Sequence, residues 1–89
     1  MASVSRDEVK RRVIDYLSQN TYKSPIDESD DLGDDLNISK SWRKHFAYPL
    51  SRISTSYPGG LPIYKYEAEN LDTVKEVIEL TFKRAKGQE

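Results

Sequence analysis

The chain has 89 residues, of which 36% are hydrophobic and 33% charged, with a formal net charge of −1. That length fits one small domain with a compact core, and a charge so even gives bulk electrostatics no argument for a nucleic-acid partner. The absence of cysteine excludes disulfides, thiolate metal sites and cysteine nucleophiles, and apolar runs of only a few residues exclude a membrane span. The opening stretch MASVSRDEVK has no apolar segment to serve as a secretory signal, so a cytoplasmic location is expected.

Locally the charge is uneven. Residues 1–35 carry Asp7, Glu8, Asp15, Asp27, Glu28, Asp30, Asp31, Asp34 and Asp35 against Arg6, Lys10, Arg11, Arg12 and Lys23. From Leu36 to Tyr66 there is no acidic residue, while Lys40, Arg43, Lys44, Arg52 and Lys65 all fall there. A basic insert between acidic flanks is the clearest compositional pointer to a partner, and it points to an acidic one.

In chain order, Val9, Val13, Tyr16 and Leu17 recur at helical spacing, with Ile14 widening the stripe. Ser5 and Glu8 fit a capping box at its start, and the helix is expected to fade near Gln19-Asn20. A polar loop follows from Thr21 to about Asp35. Ile38, Trp42, Phe46, Leu50 and Ile53 then repeat every three or four residues, which predicts a second helix with Trp42 and Phe46 on its buried stripe and Lys40, Arg43 and Lys44 in solvent. Pro49 is expected to kink or end that helix near Ala47-Tyr48. STSYPGGLP reads as a loop, and Ile63, Tyr64, Tyr66 and Ala68 fit either a helical turn or an extended segment. A final helix carries Val74, Val77, Ile78 and Phe82, capped by Asp72 or Asn70, with Lys83, Arg84 and Lys86 at its C-terminal end and Gly87 as its stop.

An amphipathic helix, an acidic loop ending Asp31-Leu32-Gly33-Asp34-Asp35, a second helix, another loop, and a last helix approached through Pro62-Ile63 and Glu67-Ala68-Glu69-Asn70-Leu71-Asp72-Thr73-Val74 together resemble the acyl carrier protein layout. The resemblance runs over nearly the whole chain in order and spacing. It implies a single all-α domain over residues 1–89, a small three- to four-helix bundle of acyl-carrier-protein type with a long loop after helix two. It also implies an association with fatty acid or secondary metabolite biosynthesis. The residues between Pro49 and Leu61 exceed what the family usually has between its second and third helices.

Function departs from that pattern. Carriers place Ser-Leu after the aspartate, and the serine holds a phosphopantetheine arm. Here Asp35 is followed directly by Leu36, which has no hydroxyl. No cofactor is therefore expected unless Ser39 substitutes, in which case the chain is a divergent carrier phosphopantetheinylated there. An arm on Ser39 would emerge near a helix N-terminus, whose N–H groups favour a phosphodiester. Ser39 is read first as a plain N-cap, because Ile38 and Lys40 around it do not match the carrier motif. The matching second helix is also basic where carriers are acidic, so it suits acidic or phosphorylated surfaces.

Three other constellations carry less. The loop carboxylates do not follow the alternation of a calcium loop, and a solvated acidic loop accounts for them; no metal site is assigned. His45 is the only histidine and has no triad spacing, and Gly59-Gly60 lacks the residues of a phosphate loop, so no enzymatic activity is expected. The basic-aromatic segment gives a third reading, an anion- or nucleic-acid-binding module, but a core stripe with a solvated basic face explains the same residues. The favoured expectation is a non-catalytic protein-interaction module, with Lys40, Arg43, Lys44 and Arg52 meeting an acidic protein partner. Tyr48, Tyr57, Tyr64 and Tyr66 are expected to supply contact area.

Overall fold

The structure, a computed structural model, describes residues 4–21 and 23–89. Residues 1–3 of the opening stretch and Tyr22 of the expected loop lie outside these. The protein is mostly helical, with no strand among the described residues apart from one isolated bridge between Asp31 and Thr73. None of its helices is long and apolar enough to cross a membrane, among the described residues.

Helix α1 spans Arg6–Asn20 and buries Val9, Val13 and Leu17, with Ile14 and Tyr16 at the stripe's edges. Ser5 Oγ accepts from the Glu8 amide at 3.3 Å. The Glu8 carboxylate, expected to return to the cap, instead accepts from the Tyr57 hydroxyl at 2.6 Å. It ties α1 to the loop at the far end of the chain's middle third.

The second helix differs from expectation. Helix α2 covers Lys40–Arg43, a 3₁₀ turn covers Lys44–Phe46, and α3 covers Ala47–Ser54. Arg43, Lys44, Phe46 and Ala47 all keep right-handed helical dihedrals, so the three form one continuous run. Pro49 neither ends nor breaks it. It sits third in α3, the helix that directly follows the 3₁₀ turn. Half of the residues expected as extra loop are therefore helical, and the loop after the run begins at Thr55.

That 3₁₀ turn also rotates the helix face. At three residues per turn, position i lies directly under i+3, so Arg43 falls beneath Phe46 and Trp42 swings out by about 60°, to lie about 100° around the axis from Phe46. The buried set is accordingly Arg43, Phe46, Ala47, Leu50, Ile53 and Ser54, while Trp42 is 64% exposed. The expected places of Trp42 and Arg43 are thus exchanged.

The chain closes with α4 (Lys65–Glu69) and α5 (Val74–Ala85). Of the two forms open for Ile63–Ala68, the structure takes both: Tyr64 is extended, after the buried Ile63, and a helical turn starts at Lys65. Helix α5 packs against α1 and α3, and α4 against α2 and the 3₁₀ turn. Thr73, rather than Asp72 or Asn70, caps α5 in a full capping box with Glu76. Phe82 is only half-buried; Thr81 takes the core position, its hydroxyl donating to Val77 O at 2.8 Å. Gly87, at φ +79°, ends the helix as expected: its amide bonds Arg84 O (2.9 Å) and the Gln88 amide bonds Lys83 O (3.0 Å).

The acidic loop positions these helices. Val74 N donates to Asp30 O (3.0 Å), Lys75 N to Glu28 O (2.9 Å) and Glu76 N to Thr73 Oγ1 (3.2 Å), so the first amides of α5 are all satisfied. Leu32 N bonds Asp72 O at 2.8 Å, and Ile26, Leu32 and Leu36 enter the core. Glu28 is bracketed by Arg6 at 2.6 Å and Lys10 at 2.9 Å, which lower its pKa to about 2.

A depressed carboxylate pKa stabilises the fold fully above the unfolded value and loses that contribution as protons bind. Thermal midpoints are expected to fall as pH drops from about 4.5 towards 2, the interval between the ordinary and folded values of Glu28. Glu28→Gln should lower the midpoint at neutral pH and flatten its decline over that interval, followed by circular dichroism.

Candidate functional site

The continuous run from α2 to α3 carries an exposed surface of basic and aromatic side chains on more than one of its sides. Lys40, Trp42, Lys44, His45, Tyr48 and Arg52 are all exposed. Trp42 and His45, one helical turn apart, lie with ring centroids 5.0 Å apart, and the Arg52 guanidinium sits 6.0 Å over the Tyr48 ring. Beside them, Tyr64 and Tyr66 are 55% and 66% exposed and stack in parallel at 6.0 Å. Of the tyrosines expected to supply contact area, Tyr57 is half-buried, its ring under the Arg12 guanidinium at 5.5 Å.

Arg43 does not belong to this face. Its Nη1 donates to Leu71 O at 3.0 Å and to Asp72 Oδ1 at 3.3 Å, and its Nε to Ile38 O at 3.2 Å. A Cβ on Gly33 would lie 2.8 Å from its Nη2, so the glycine of Asp-Leu-Gly leaves room for the guanidinium. The expectation of a solvent-facing Arg43 is corrected: the side chain is buried and engaged by backbone oxygens. Lys40, Lys44 and Arg52 remain exposed and, among the described residues, form no ion pair.

Ser39 stands at the head of the run. Its carbonyl accepts from the Trp42 and Arg43 amides at 3.0 and 3.2 Å. Its hydroxyl makes no cap bond and lies 3.3 Å from Ser41 Oγ, exposed. Leu36 is buried in the core.

The acidic loop spends its carboxylates on its own backbone. Asp31 Oδ1 accepts from the amides of Gly33 (2.8 Å) and Asp34 (2.9 Å), and Asp35 Oδ2 from the Asp31 amide (2.7 Å). The amides of Asp34 and then Gly33 hold the Asp31 carboxyl below its usual range. Asp30 is lowered likewise, first by the Asp27 amide and then by Lys23. Among the described residues no three metal-ligating side chains converge.

Sequence reasoning did not find the contribution of α1. Arg12, Asp15, Tyr16 and Gln19 face Tyr48, Pro49, Arg52 and Ile53 across an open groove. Only the packing of α1 beside α3 brings these together. No family model, curated protein or solved structure matches the chain.

Removing the Arg43 guanidinium leaves the carbonyls of Leu71 and Ile38 without this donor. Arg43→Met is expected to cost about 2–3 kcal/mol in urea unfolding, whereas Lys44→Glu, on an exposed position, should change stability by about 0.5 kcal/mol or less.

Proposed function

We propose that this protein is a non-catalytic interaction module with the helical layout of acyl carrier proteins, one that lacks their attachment serine and binds a protein partner with an acidic surface. The observation that carries this reading is the face of the second helical run. Trp42 and Tyr48 stand 64% and 72% exposed among Lys40, Lys44 and Arg52, with no carboxylate supplied by the chain between Leu36 and Tyr66. Large aromatics left in water beside unpaired cations are costly to keep unless something covers them, and such residues dominate protein contacts. The order and relative lengths of the helices, with a long first loop, a long second run, a short α4 and a final α5, support the carrier layout. Leu36, buried where a carrier has its modified segment, supports the loss of the arm.

One observation favours a second reading, a divergent carrier modified at Ser39: that hydroxyl is exposed at the head of the run and free of a cap bond.

Incubation with coenzyme A and a broad-specificity phosphopantetheinyl transferase separates the two. The intact mass is expected to stay unchanged while an ordinary carrier protein in the same tube is fully modified. A phosphopantetheine increment that vanishes in Ser39→Ala would replace the interaction-module reading with the carrier one.

A further inference from the structure

Two grooves open along one flank of α1 and meet at Tyr16, which lines both. The first, about 350 Å³, is floored by Leu36, Ile38 and Phe46 and rimmed by Trp42 and His45. The second, about 690 Å³, passes over Pro49 and Ile53 between Arg12 and Arg52. Tyr16 sets the junction, held edge-on to Phe46 with centroids 5.8 Å apart.

We infer that the two grooves form one docking trough for an acidic protein segment that carries a large apolar anchor. The anchor enters beside Trp42, and the segment's carboxylates lie over Arg12 and Arg52. This inference rests on the interaction-module reading and specifies where and what that module binds.

The cations are placed in advance. Arg12 Nη1 donates to Ser56 Oγ at 2.8 Å, and its guanidinium covers the Tyr57 ring at 5.5 Å. Arg52 rests on Tyr48 in the same way at 6.0 Å. Among the described residues neither forms an ion pair, whereas Arg6, Lys10, Lys23, Arg43 and Arg84 all do. A guanidinium already fixed on a ring loses little freedom on binding and offers its remaining N–H groups to a carboxylate. The apolar groove has the size and lining for a single aromatic or branched aliphatic side chain, the usual anchor of a peptide contact.

Asp15 decides between a protein and a phosphate polymer. Among the described residues it is the only acidic one lining either groove, one helical turn beyond Arg12 on α1. A nucleic-acid backbone carries a charge at every step and cannot avoid it. A protein segment can set a neutral or basic residue over Asp15 and acids over Arg12 and Arg52.

The test uses the full chain as bait for a displayed library of random peptides. Enriched peptides free of tryptophan are then titrated against it with Trp42, the single tryptophan, as the fluorescent reporter. Enriched sequences are expected to pair an acidic cluster with a Phe, Leu or Ile and to change Trp42 emission. Arg12→Gln and Arg52→Glu should each weaken binding by about fivefold to tenfold, and Asp15→Lys should tighten it several-fold. Asp15 is exposed, so its variant keeps the test sharp should Arg12→Gln lower stability. Peptides indifferent to Arg12→Gln and Asp15→Lys but weakened by Lys40→Glu and Lys44→Glu would overturn the trough and leave the interaction module standing. Enrichment of basic peptides would overturn the trough as well. No enrichment over a blank surface, with salt-sensitive binding of oligothymidine instead, would overturn both.

Discussion

The guanidinium of Arg43 bonds two separate segments at once: Ile38 at the end of the acidic loop, and Leu71 and Asp72 in the link between α4 and α5. The same link receives the loop through Leu32 N to Asp72 O, and the loop in turn supplies acceptors to the first amides of α5. An acidic loop, a helix start and an interhelical link are therefore closed into one hydrogen-bonded clasp. With no sheet among the described residues to organise the long connection after α1, this clasp gives the loop a fixed path and sets α5 against α1 and α3. The Leu32 and Leu36 side chains then complete it from the apolar side.

That arrangement changes the meaning of the aspartates. They look in sequence like a cluster seeking a cation, and their carboxylates do face positive partners, but these are backbone amides, Lys23 and the nearby Arg43. The carboxylates of Asp27, Asp30, Asp31 and Asp35 each accept from an amide of their own stretch of chain. The loop caps α5, while Lys40, Lys44 and Arg52 of the second helical run stay exposed and, among the described residues, outside any ion pair.

The exposed face has a consistent physical character. Arg52, and Arg12 beside it on α1, rest on aromatic rings rather than on carboxylates, which holds them in place without neutralising them. A buried ion pair holds the interior elsewhere, between Arg84 and Glu67, so the molecule separates charges used for folding from charges left for solvent or a partner. Trp42 lies on that face because of a backbone detail, the 3₁₀ turn before Pro49, and not because of its neighbours' polarity.

The sequence by itself determined the outer helices, since α1 and α5 carry strong 3.6-residue stripes with Ser5 before one and Gly87 after the other, signals that act within a turn or two. It also determined the acid-free middle third and the apolar residue at Leu36 after Asp35. It did not determine which side of the second helix is buried: an ideal helical period puts Trp42 inside, and three residues of tighter winding exchange it with Arg43. Tertiary structure alone decided that Arg43 is a clasp, because its acceptors at Leu71 and Asp72 are 28 and 29 residues away. It likewise decided the groove lined by residues of α1 and α3. Local periodicity records how a segment winds against itself; what a buried cation bonds, and which faces meet across a groove, depends on contacts between segments distant in the chain.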